Sequence, residues 1–153
     1  GHGKSLYLSD DSAESGNIYS FNNTAPSSTV ITLGQDDKTN GSSSRTYVAY
    51  LFATLAGISK VGTFSHTNGS STDVDCGFSS GSMMVIVKRT DAAGDWYQWD
   101  SVRGIVSGND PYVLLNTNAA QNSSNDYIDT LSSGFQIASG FTTGSYVFYA
   151  IAA

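Results

Sequence analysis

No window of ten or more residues in this chain carries the repeat of an amphipathic helix, and that absence constrains the fold more than any other feature. In its place stand short runs rich in β-branched and aromatic residues, each bounded by Gly, Asn, Asp or Ser. Strands are predicted over Leu6–Leu8, Val30–Leu33, Thr46–Phe52, Ser59–Phe64, Met83–Arg89, Trp96–Ser101, Tyr112–Leu115, Gly134–Ile137 and Ser145–Ile151. The stretches Asp36–Ser44, Thr67–Thr72 and Ala119–Asn125 are polar and read as loops. The only helical candidate is a turn around Asp10–Ser15, with a counterpart at Thr117–Asn122. Many short strands with regular turn signals predict an all-β protein, an antiparallel β-sandwich of jelly-roll or concanavalin-like type.

Composition narrows the function classes. The chain has 153 residues, 25 Ser, 14 Thr, 10 Asn and 16 Gly, but only 13% charged residues. Disordered chains lack aromatics, whereas this one is 12% aromatic with nine Tyr. The net charge of -6 argues against nucleic acid, which needs clustered cations to displace counterions, and against anionic membrane surfaces. The longest apolar run, Tyr47–Ala53, is far short of the ~18 residues a membrane helix needs. No targeting signal is readable from the first residues. A single cysteine, Cys76, allows no internal disulfide. The alternation of Asp73-Val74-Asp75-Cys76-Gly77-Phe78 places its thiol in the core as a small apolar group.

Internal repetition is the most informative pattern. Gly3–Ser9 matches Asp110–Asn116, Ser27-Ser28 then Ile31 and Leu33 match Ser132-Ser133 then Phe135 and Ile137, and Tyr47–Ala53 matches Tyr146–Ala152, in the same order. Residues 57–153 read as one complete unit and residues 1–56 as the second half of another, with one merged sandwich as the alternative. On this reading Tyr47–Phe52 and Tyr146–Ile151 are equivalent strands. The half-unit carries Leu6, Leu8, Val30, Leu33, Val48, Tyr50 and Phe52 without the strands that would cover them, so these are the expected assembly residues.

Several blocks carry a family resemblance. Thr46–Ala53, Gly57–Gly62, Val87–Asp91, Gly94–Asp100, Asp110–Asn116 and Asp126–Asp129 together resemble a repeat domain of phage tail-fibre-like virion structural proteins, found in marine phages and their metagenomic relatives. The resemblance covers nearly the whole chain. It implies a virion or extracellular location and no known chemistry.

Candidate chemistry is sparse. A nucleophilic triad needs a base beside its nucleophile, but His2 lies at the chain end and His66 reads as a solvated loop histidine. No Gly-x-Ser-x-Gly elbow frames a serine. A glycosidase needs two opposed carboxylates, and nothing selects a pair among Glu14 and the Asp residues, which sit in turn contexts. No enzyme activity and no catalytic residue are therefore expected. Asp10-Asp11, Asp36-Asp37 and Asp73-x-Asp75 offer oxygens for a structural calcium, without the fixed spacing of a calcium loop. Zinc has too few ligands, and no other cofactor is implied. Trp96, Tyr97 and Trp99, with Arg103 nearby, invite a glycan-stacking reading. Strand alternation puts Trp96 and Gln98 on one face and Tyr97 and Trp99 on the other, so one set is core. Arg103 is placed to pair with Asp100.

The expected function is that of a structural β-protein of a virion appendage or extracellular filament, acting by homo-oligomeric or polymeric assembly through edge strands and apolar strips. The alternative is a lectin-like module that binds a receptor or cell-surface glycan. A tail-associated glycan hydrolase ranks third.

Overall fold

The computed structural model describes residues 2–41 and 45–153, which divide into two compact units. One comprises residues 1–7 and 14–51, the other residues 8–13 and 52–153. Among the described residues there is no helix, so none is long and apolar enough to cross a membrane. All pairing between strands is antiparallel.

The second unit is a sandwich. Its larger sheet holds β3 (Ser59–His66), β5 (Ser82–Arg89), β6 (Trp96–Asp100), β7 (Val113–Leu114) and β10 (Gly144–Ala152), in the order β3-β10-β5-β6-β7. Its smaller sheet holds β4 (Thr72–Asp75), β8 (Ile128–Leu131) and β9 (Gly134–Ile137), in the order β4-β9-β8. Period-two alternation explains the packing. Tyr146, Phe148 and Ala150 of β10 point inward, as do Val85 and Val87 of β5 and Trp99 of β6. They meet Val74, Ile128, Phe135 and Ile137 from the smaller sheet, closing one apolar core. Gly62 sits where a Cβ would come within 2.7 Å of the Phe148 ring, so β3 reaches its partner only because that position has no side chain.

Cys76 is buried in this core, as its alternation predicted, and burial pushes its thiol up to about 11. The strands expected over 59–64, 83–89, 96–101, 134–137 and 145–151 are present, within a residue or two of the expected bounds. The run at 112–115 shrinks to β7 plus a bridge from Tyr112 to Asn122. β4 and β8 were not expected, because each carries two or more polar residues in four. The helical candidates are turns: Asp10 accepts the Ser12 amide and Thr117 the Ala119 amide.

The first unit departs most from expectation. Among the described residues its only strands are β1 (Lys4–Ser5) and β2 (Ser15–Gly16), which pair with each other. Leu6–Leu8, Val30–Leu33 and Thr46–Phe52 are not strands. The physical reason is that β-propensity needs a paired neighbour to be expressed, and these runs have none among the described residues. The expected structural equivalence of Tyr47–Phe52 with Tyr146–Ile151 is therefore not realised in the single chain. Part of the 36–44 loop, residues 42–44, lies outside the described residues. In that loop the Tyr47 hydroxyl donates to Asp37 O and accepts from the Gly41 amide.

Candidate functional site

The aromatic block of β6 is mostly core. Trp99 is wholly buried and Tyr97 packs against the same cluster, their rings stacked at 5.3 Å and 10°. Tyr112, Tyr127 and Phe141 complete the cluster, and burial raises the Tyr97 hydroxyl well above its ordinary value. Tyr97 and Trp99 are therefore the core set of the two faces and pack among other aromatic rings. Trp96 faces outward and is half-buried, with its amide donating to Asn116 Oδ1 at 2.9 Å. Arg103 pairs with Asp100, whose carboxylate also accepts the Arg103 amide.

His66 corrects the loop reading. It closes β3, is 3% exposed, and is held from both sides. Its Nε2 faces the Phe141 carbonyl at 3.2 Å, so Nε2 carries the proton; Nδ1 then accepts from the Thr72 hydroxyl at 2.9 Å. Burial lowers its pKa. The histidine joins β3 to the 139–143 turn as a structural hydrogen-bonding group.

Two buried polar residues escaped sequence reading. Lys88 on β5 is fully buried, its ammonium donating to the carbonyls of Asp11, Ser12 and Arg89 at 3.2, 2.7 and 2.9 Å. It thereby ties residues 8–13 to the sandwich, with the Gly94 amide donating to Asp11 O as a second tie. Desolvation lowers its pKa against the nearby carboxylates of Asp11, Asp10 and Asp95. Asp110 is also fully buried; Oδ1 accepts the Val106 amide at 2.8 Å, while Oδ2 has no partner. Desolvation pushes its carboxyl up to about 6.

Five of the six proposed calcium carboxylates bond within the chain, Asp10 to the Ser12 amide among them. Asp36 accepts from the Lys38 amide, Ser20 and Asn17; Asp37 pairs with Arg45 at 3.1 Å. Asp75 accepts the Gly77 amide, Asp73 the Gln136 side chain. Among the described residues no group of three or more His, Cys, Asp or Glu is placed to hold a metal ion.

The expected assembly residues lie in both units and are mostly on the surface. Leu8, Val30, Leu33, Val48, Tyr50 and Phe52 are exposed, and Leu6 is half-buried. Val48 and Tyr50 are about four-fifths exposed, at 80% and 81%, yet they carry the pattern of β10. Leu51, Leu55 and Ile58 continue the exposed run. Within the second unit, β3 forms one edge of the larger sheet, with β10 on its other side. Leu55 bridges Ser59, and the Thr54 hydroxyl contacts both the amide and the carbonyl of Val61, at 3.2 and 3.4 Å. Beyond Val61, no strand among the described residues pairs with this edge. Phe52 lies against Tyr149 of β10, ring centroids 4.6 Å apart.

A domain of unknown function, DUF7483, matches residues 1–153. The chain belongs to that family. The matched span takes in both the sandwich and the exposed run. No curated protein and no solved structure matches the chain.

Proposed function

We propose that this protein is a structural β-module of a virion appendage or an extracellular filament, and that it works by subunit assembly. One observation carries the reading: Val48, Tyr50, Leu51, Phe52, Leu55 and Ile58, six apolar residues within eleven positions, are each more than half exposed. Burying such side chains stabilises by about 25 cal/mol per Å² of apolar surface, so an assembled state recovers what the isolated chain leaves in water. The resemblance to tail-fibre-like repeats and the acidic, hydroxyl-rich surface composition support the virion or extracellular setting. The lectin-like alternative keeps one supporting observation, the outward, half-buried Trp96 beside Gln98. Sedimentation velocity with electron microscopy of the purified chain tests the proposal. Concentration-dependent, elongating particles are expected. A monomer at every concentration, coupled with binding on a glycan array, overturns assembly in favour of the lectin.

A further inference from the structure

Resting on the assembly reading, we propose that residues 46–52 add as a strand to the open edge of β3 in a second copy of this chain. Three observations lead there. The first is pattern. β3 already pairs, from Ser59 to His66, with one strand, Tyr146–Ile151 of β10, and Tyr47–Phe52 repeats the pattern of that strand. β3 has two edges; one takes β10 and the other takes no strand. The chain thus holds two versions of the strand that β3 accepts and, by itself, uses one.

The second observation is the state of the edge. Val61 turns its amide and carbonyl toward Thr54, away from β10. Main-chain groups on a strand alternate sides, so those of Thr63 and Ser65 point the same way. No main-chain hydrogen bond outside the sheet ladder reaches either residue, among those described. An added strand would find two amides and two carbonyls waiting, which is the mode of recognition that β-augmentation uses.

The third observation concerns which chain supplies the strand. At Val61 the Thr54 side chain occupies the place of a pairing main chain. The chain's own lead-in segment therefore pairs at Leu55–Ser59 and leaves the edge before Thr63. The remaining edge is open to another molecule. Residues 47–52 are apolar on both alternating faces, with Tyr47, Ala49 and Leu51 on one and Val48, Tyr50 and Phe52 on the other. Such a strand belongs inside an interface, where both faces are covered. On the acceptor, Val61 of β3 is exposed on the outer face, beside a Tyr149 that carries its own chain's Phe52, so the surface around Val61 would receive one of them.

The test is light scattering of the full chain, with Thr63→Pro and Tyr50→Asp beside it, and hydrogen exchange of the wild type. Proline at an outward-facing edge position removes the donor without a ladder bond to β10. Both variants should keep the sandwich circular-dichroism spectrum and weaken association by about tenfold or more, as expected for losing main-chain hydrogen bonds or a buried aromatic. In the wild type, the Thr63 and Ser65 amides should gain protection as concentration rises. Association that survives Thr63→Pro, with no change in those amides, overturns the edge proposal while leaving assembly intact. A wild-type monomer at all concentrations overturns both. Should Thr63→Pro fail to fold, the exchange measurement alone decides.

Discussion

Two segments of this chain share one pattern and have opposite fates. In Tyr146–Ile151 the inward residues Tyr146, Phe148 and Ala150 are 3%, 4% and 0% exposed, and strands flank both edges. In Tyr47–Phe52 the matching apolar residues face water and no strand pairs with them. The difference lies in neighbours, not in intrinsic preference. A strand's apolar pattern records a capacity to be buried, and the capacity is used only where β3 and β5 are present to pair.

The sharpest way to break this comparison is to truncate one aromatic side chain in each segment. Phe148→Ala should destabilise the fold by about 3–5 kcal/mol in chemical denaturation, because it empties a packed core. Tyr50→Ala in dilute solution should cost no more than about 0.5 kcal/mol, as an exposed substitution does. Equal losses at the two positions would mean that 46–52 is already a packed strand.

Lys88→Met comes next in size. It leaves the Ser12 carbonyl without its Lys88 donor and the Asp11 carbonyl with the Gly94 amide alone, at a cost of about 1–3 kcal/mol, and should speed hydrogen exchange at the Gly94 amide. Nothing comparable holds 46–52, so exchange there should not change.

His66→Ala should cost a similar or smaller amount, read by the same denaturation curves, since it removes the Thr72 hydroxyl's acceptor and leaves the Phe141 carbonyl with the Asn68 side chain as its donor. Because the folded pKa of His66 is lowered, the unfolded chain takes up its proton first. Its contribution is complete above the ordinary histidine value and is lost as pH falls below it.

Asp110 acts in the opposite direction and is the smallest practical effect near neutral pH. Its folded pKa is raised to about 6 from 3.8, so the folded state holds the proton more tightly. Stability from this group should rise as pH falls through about 6 and level off below 3.8. Asp110→Asn should flatten that rise in thermal denaturation across the acidic range. An unchanged pH profile would remove Asp110 from the account.

Sequence alternation made the larger sheet legible: β3, β5, β6 and β10 are long enough for period two to show, and Cys76 could be placed with them. β4 and β8 could not be seen, since four residues rich in Asp and Thr resemble a turn until the neighbouring β9 is present. His66 was misread for a related reason. Its carbonyl partner, Phe141, comes from 75 positions away, and the local Ser-His-Thr-Asn-Gly context carries only loop signals. Lys88 and Asp110 are invisible to pattern reading because a charged residue in sequence implies solvent, and only the fold brings carbonyls or a buried amide to them. The exposed apolar residues were legible as uncovered, because the repeat displayed what was missing around them.

The central claim is that the sandwich is complete by itself while residues 46–52 await another chain. Hydrogen exchange resolved by residue and followed across a concentration series addresses it directly. The account expects the β10 amides to be protected at every concentration, and those of 46–52 to be open when dilute and protected when concentrated. Protection of 46–52 that matches β10 even at the lowest concentration, or that never develops at the highest, would contradict it.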